Sequence, residues 1–229
     1  MTLKAVSLFA SAGCDIIELG IPFSDPLADG ATIQQASYEA LRQGATPKLC
    51  LEVAQELRQQ VGIPLMFMTY YNPVLKFGLE QFCSRCADVG IDGLIIPDLP
   101  PEEGKELEES TRRHGLDLVY LLSPASTEER IQLVTGRSSG FVYLVSLTGV
   151  TGARDRLPEE LESFVARVRR ETEKPLCVGF GVSTPEQAQR VARVADGVIV
   201  GSRIIQLLDE DKSLKNACSF VKSLREALL

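Results

Sequence analysis

Tryptophan is absent from this chain of 229 residues, histidine occurs once, and aromatic residues make up only 6%. A lone His114 cannot build a histidine-rich metal centre, so no metal site is expected. Apolar runs are only a few residues long, whereas a membrane helix needs roughly 20, so no membrane partner is expected. The formal net charge is −7, and no basic stripe alternates with aromatics, which excludes an ordinary nucleic-acid binder. No Gly-x-Gly-x-x-Gly follows the first predicted strand, which disfavours a dinucleotide fold. The six cysteines are scattered. Only Cys83 and Cys86 are close, and no second pair completes a zinc site or a disulfide framework. Reduced, buried thiols of a cytosolic protein are the simpler expectation.

What is present is ordinary for one globular domain: 45% hydrophobic and 24% charged residues. The N-terminal stretch from Met1 to Cys14 reads as a truncated amphipathic helix rather than a secretory signal, because it has a single Lys and a short apolar stretch and Asp15 runs straight into a strand. Short apolar runs then alternate with helical patterns. The predicted strands are Asp15–Leu19, Pro64–Met68, Gly93–Pro97, Asp117–Leu122, Phe141–Ser146, Pro175–Gly179 and Gly197–Gly201. Most are continuously apolar, as in a parallel sheet covered on both faces. Thr46-Pro47, Pro100-Pro101-Glu102-Glu103, Ser126-Thr127-Glu128-Glu129 and Ser183-Thr184-Pro185-Glu186 read as helix starts. His114 stands before Gly115 at a predicted helix C-terminus, where it suits the helix dipole. A last helix spans about Lys212 to Leu229. The order predicts an α/β fold with crossover helices, and its rhythm is that of a TIM (β/α)8 barrel. An open doubly wound sheet is the alternative. Seven strands are recognisable, so an eight-stranded barrel needs one more ahead of residue 1. The expected organisation is a single TIM-barrel domain over residues 1–229, short on its N-terminal side.

In such barrels the chemistry sits at the C-terminal ends of the strands. The first predicted strand delivers Glu18, and the loop after it delivers Asp29. Two carboxylates on one rim suit acid–base catalysis. Glu18 could instead be an ion-paired rim residue, and Asp29 could cap the helix beginning near Thr32. Tyr70, Tyr143 and Phe180 are candidates either for core or for the wall of a flat apolar pocket. The last three strands bring glycines to their rims: Gly149 and Gly152, then Gly179 and Gly181, then Gly201 before Ser202. Backbone N–H groups at such glycines and at helix N-termini suit a phosphate, although turn glycines alone would look the same.

Several segments match a known pattern: Ile17-Glu-Leu-Gly-Ile-Pro-Phe-Ser-Asp-Pro-Leu-Ala-Asp-Gly30, Tyr71-Asn-Pro73, Gly93-Leu-Ile-Ile-Pro-Asp-Leu-Pro-Pro-Glu-Glu103, Gly149-Val-Thr-Gly-Ala-Arg154, Gly179-Phe-Gly-Val-Ser183 and Gly201-Ser202. In these the chain resembles the α subunits of tryptophan synthase over almost its whole length. The resemblance implies a lyase that cleaves indole-3-glycerol phosphate to indole and glyceraldehyde 3-phosphate, without a metal or a cofactor of its own. It implies that Glu18 is the general acid–base and that Asp29 binds the indole N–H. Tyr143 and Phe180 would wall the pocket, and Gly152, Gly181, Gly201 and Ser202 would cradle the phosphate. Thr151 would belong to a lid, about 147–157, that closes toward Asp29. The implied partner is a β subunit that carries pyridoxal phosphate, in an α2β2 tetramer. The loop Pro22–Pro26 and the segment at Asn72-Pro73 would face it. The implied location is the cytoplasm, or the plastid stroma in a plant or alga. A stand-alone lyase releasing free indole, or a non-catalytic partner of the β subunit, would show much the same sequence. The family pattern also has a further helix and strand ahead of Asp15–Leu19, which leaves that strand without its expected neighbour. The expectation is that the chain alone is poorly stable or inactive unless something fills this gap.

Overall fold

The structure is a computed structural model and describes residues 1–145, 160–179 and 181–229. It divides into two compact units, Met1–Leu118 and Val119–Leu229.

The first unit opens with α1 (Thr2–Ser11), which buries Ala5, Val6 and Phe9 on one face. Strand β1 (Ile17–Gly20) follows, then α2 (Ala31–Arg42), α3 (Pro47–Arg58), β2 (Leu65–Met68), α4 (Tyr71–Phe77), α5 (Leu79–Val89) and β3 (Gly93–Ile95). A 3-10 turn at Pro101–Glu103, α6 (Lys105–Arg113) and β4 (Asp117–Val119) complete it. The sheet order is β1-β2-β3-β4, with β1–β2 and β2–β3 parallel. The second unit holds β5 (Leu121–Leu122), α7 (Glu128–Arg137), β6 (Val142–Val145), α8 (Glu160–Arg169), β7 (Leu176–Gly179), α9 (Pro185–Ala192), β8 (Gly197–Val198), α10 (Ser202–Glu210) and α11 (Lys215–Ala227). Its sheet runs β5-β6-β7-β8, parallel throughout. Leu65, Phe67, Leu94, Ile95, Val142, Leu144, Leu176 and Val178 lose all solvent contact, as strands covered on both faces must.

All seven predicted strands are present, with two adjusted. The run Asp117–Leu122 is interrupted at Tyr120, whose backbone N–H donates to the buried Ser138 hydroxyl at 2.9 Å instead of continuing the ladder. The run Gly197–Gly201 is strand only over Gly197–Val198. Thr46, Thr127 and Thr184 cap α3, α7 and α9 as predicted, each accepting from the N–H three residues on. Two helix starts differ from expectation. Pro100 and Pro101 open the 3-10 turn, closed by Glu103 and Gly104 N–H groups on the carbonyls three residues back, and α6 begins only at Lys105. The last helix begins at Lys215, because Asp211 caps it by accepting from the Ser213 and Asn216 N–H groups.

Each unit contains the same fastener. Pro64 stands six positions after Arg58, and Pro175 six positions after Arg169. After each proline a leucine opens a strand, and its N–H donates to an aspartate ahead of the next strand: Leu65 to Asp92 at 2.7 Å, and Leu176 to Asp196 at 2.8 Å. The arginine pairs with that same aspartate in both units. A glycine follows each aspartate, and the neighbouring strand's side chain occupies its Cβ space: Met66 over Gly93 and Cys177 over Gly197.

A second clamp joins α5 to α6. Glu80, in the first turn of α5, accepts from Arg113 at 2.5 Å and Ser110 at 2.9 Å, and meets His114 Nε2 at 2.9 Å. These bonds, that to His114 foremost, hold the Glu80 carboxyl at about 2. His114 is the C-cap of α6, as predicted, and its ring serves this clamp.

Candidate active site

In the first unit Glu18 lies on β1 between the buried Ile17 and Leu19, so its side chain points to the opposite face from theirs. Register sets it beside Met66, and Gly20 beside Met68. Its surface is only partly covered, yet protein atoms crowd the carboxyl. Burial alone pushes it up from 4.5 to about 7. No ion pair to Glu18 occurs among the described residues, against the alternative of a salt-bridged rim residue. A carboxyl in this state is available as both acid and base near neutral pH.

Asp29 lies in the loop between β1 and α2. It does not cap α2, whose N-cap is Gly30 with no side-chain bond. Its carboxylate instead accepts from the Tyr70 hydroxyl at 3.0 Å, and that hydroxyl accepts from the Ala28 N–H at 2.9 Å. Burial raises the Asp29 carboxyl and the tyrosine bond partly offsets this. Burial and then the Asp29 charge hold the Tyr70 phenol well above its ordinary range, so it remains a donor. The Tyr70 ring is 5% exposed and lies 5.3 Å from the Phe23 ring. Gln34 fixes the Asp29 carbonyl by donating to it at 2.9 Å. At the strand ends, Ile21 N–H reaches the Met68 carbonyl and the buried Thr69 hydroxyl reaches the Ile21 carbonyl. Glu18, Asp29 and Tyr70 thus belong to one parallel sheet and the loops leaving its C-terminal edge, where such folds carry their sites. Tyr70, expected as pocket wall, is also tied to Asp29 by its hydroxyl.

In the second unit Tyr143 is 4% exposed on β6. Its ring fills the space where a Cβ on Gly179 would stand, which is why that strand end carries glycine. Gly181 has φ +85°, a left-handed conformation that disfavours other residues. Gly201 is the N-cap of α10 and Ser202 its first residue, with no side-chain cap on the helix N-terminus. A Cβ on Gly201 would meet nothing within 4 Å, so the protein's own packing does not require glycine there. Thr151, Gly152, Phe180 and the expected lid at 147–157 lie outside the described residues.

Among the described residues no group of three His, Cys, Asp or Glu could hold a metal ion. No helix among them is long and apolar enough to cross a membrane. Cys83 and Cys86 are both fully buried, with burial first among the causes that raise their thiols. Sequence reasoning missed the role of Asp98, which accepts from the Tyr71 N–H at 2.8 Å. The signal for Asp98 was its place directly after a predicted strand.

The family description "Tryptophan synthase alpha chain" matches residues 1–227. The tryptophan synthase alpha chain of Dehalococcoides mccartyi is 56% identical over 227 residues, spanning 99% of this chain and 89% of that one. That of Geobacter sulfurreducens is 46% identical, spanning 99% and 87%. Among solved structures, Mycobacterium tuberculosis tryptophan synthase superposes with TM-score 0.93 at 38% identity, covering 99% of this chain and 86% of that one. A protein of Aquifex aeolicus gives 0.92 at 42%, with the same coverage. These likenesses and the parallel βα order assign the TIM (β/α)8-barrel fold class expected from the strand rhythm. With a carboxyl poised near neutral pH, a tyrosine-tethered aspartate and an open glycine at a helix start, the chain belongs to the tryptophan synthase alpha chain family.

Proposed function

We propose that this chain performs the α reaction of tryptophan synthase with Glu18 and Asp29 as its two working carboxylates. The reaction is the retro-aldol cleavage of indole-3-glycerol phosphate to indole and glyceraldehyde 3-phosphate, a carbon–carbon lyase step of tryptophan biosynthesis. Glu18 gives a proton to C3 of the indole ring and takes the proton of the side-chain hydroxyl as the C–C bond breaks. Its carboxyl at about 7 supports both transfers. Asp29 accepts from the indole N–H and stabilises the positive charge that C3 protonation places on the ring. The Tyr70 hydroxyl holds Asp29 to that task. Tyr143 and Phe180 wall the indole, and Gly152, Gly181, Gly201 and Ser202 hold the phosphate, largely by backbone N–H groups. Thr151 closes the lid toward Asp29. No cofactor is needed in this chain, since both proton transfers are within reach of a carboxyl.

The partner is a β subunit carrying pyridoxal phosphate, assembled as α2β2 in the cytoplasm. The loop Pro22–Pro26 and the segment at Asn72-Pro73 face it, the first belonging to the same β1–α2 connection as Asp29. The observation that carries the proposal is the pairing of a neutral-poised Glu18 with a tethered Asp29 in one unit. Glu18→Gln keeps shape and removes the proton. Indole release, measured with and without the β subunit, should fall by about 10²–10⁴-fold in both settings. A loss under about tenfold overturns the role of Glu18. Equal indole release by the parent chain in both settings would favour a stand-alone lyase. Release in neither would favour a non-catalytic partner.

A further inference from the structure

We propose that Asp98 is a positioning residue for Asp29, acting through the capped start of α4 and the Tyr70 hydroxyl; this rests on the reading of Asp29 as a working carboxylate. The first residues of a helix leave N–H groups unsatisfied, and the N-cap side chain usually takes one. The N-cap of α4 is Tyr70, which makes no such bond. The Tyr71 N–H donates instead to Asp98 Oδ1 at 2.8 Å, across 27 residues of sequence. The loop carrying Asp98 is fixed in turn by Leu99 N–H on the Ile96 carbonyl at 3.1 Å. A phenol is too long to cap its own helix, so the acceptor comes from Asp98 while the Tyr70 side chain extends away from α4.

That side chain then bridges to another loop. Its hydroxyl accepts from Ala28 N–H at 2.9 Å and donates to Asp29 Oδ2 at 3.0 Å, so both the backbone and the carboxylate of the Asp29 loop are anchored on it. Phe23, from the same loop, packs on the ring at 5.3 Å. Burial and the Phe23 ring hold the Tyr70 side chain in its rotamer, so the hydroxyl follows the backbone at Tyr70, and the Asp98 bond at the next residue opposes movement of that backbone. Three loops, after β1, β2 and β3, are thereby set against one another around Asp29. Misplacing a reacting group by about 1 Å can cost roughly 10²-fold in rate.

The test is a double-mutant cycle with the chain assembled with its β subunit, reading indole formation. Asp98→Ala and Tyr70→Phe should each lower kcat about tenfold or more in the parent. In the Asp29→Ala background each should change kcat less than about twofold, since distant energies couple only through a shared partner. Asp98→Asn, which keeps the acceptor oxygen, should retain most of the parent's kcat. Equal losses in parent and Asp29→Ala backgrounds overturn the proposal and leave Asp98 a plain helix cap. An unchanged kcat for Asp29→Ala itself overturns the reading beneath it, a distinguishable result. A readout free of turnover is the carbon-13 NMR titration of the Asp29 carboxyl in the ligand-free chain. Its midpoint should rise in Tyr70→Phe and Asp98→Ala alike, and stay in place in Asp98→Asn. A midpoint that stays in place in Asp98→Ala also overturns the proposal.

Discussion

At the scale of single residues, Glu18 couples catalysis to stability. A carboxyl at about 7 in the folded chain and near 4.5 when unfolded binds its proton more tightly in the native state. Below about pH 4.5 it is protonated in both states and adds no cost. Between about 4.5 and 7 the unfolded chain releases a proton that the native state keeps, so stability falls as pH rises to 7 and then levels off, by up to about 3 kcal/mol at 1.36 kcal/mol per pKa unit. Glu18→Gln should therefore melt at the parent's temperature near pH 4.5 and above it at pH 8. Calorimetry at the two pH values checks this, and an equal melting temperature at pH 8 contradicts it. Both carboxylates were legible in the sequence because one ends an apolar run and the other sits in the Pro-, Gly- and Asp-rich loop after it. The tether was not. Tyr70 reads as an apolar wall when only its ring is considered, and nothing local announces that its hydroxyl reaches back across 41 residues to Asp29. The same holds for Asp98, whose partner is a backbone N–H in another loop.

At the scale of elements, the Glu80 clamp joins the start of α5 to the end of α6, each helix end receiving the charge its dipole favours. A carboxylate lowered to about 2 stabilises the fold above its unfolded value near 4.5, and that contribution is lost as pH falls through 2. The melting temperature of Glu80→Gln should lie below the parent's at pH 6, and the gap should narrow toward pH 3. A constant gap would assign the loss to packing rather than charge. Element identity was largely legible, because burial on both faces makes strands apolar runs and Thr-Pro or Thr-Glu-Glu marks helix starts. Boundaries were less so. The break at Tyr120 depends on a serine 18 residues away, and the late start of the last helix on the Asp211 cap. Neither partner lies inside the segment it shapes.

At the scale of the molecule, the strand–helix alternation pointed to the fold class, and the ordered motifs to the family, before any coordinate. The repeated fastener escaped sequence reading, because Arg, Pro-Leu and Asp-Gly are unremarkable singly and meet only after folding. Its presence in both units means that each holds its own strand start in place by an arginine, an aspartate and one backbone N–H. Asp92→Ala should speed hydrogen exchange at the Leu65 amide and leave Leu176 at its parent rate, and Asp196→Ala should do the reverse. Exchange that accelerates at both amides in either variant would show one shared opening instead. Damage to one fastener would then stay local, so inherited variation at Arg58 or Asp92 could be tolerated or compensated without reference to Arg169 and Asp196. The chain carries two separately repairable joints.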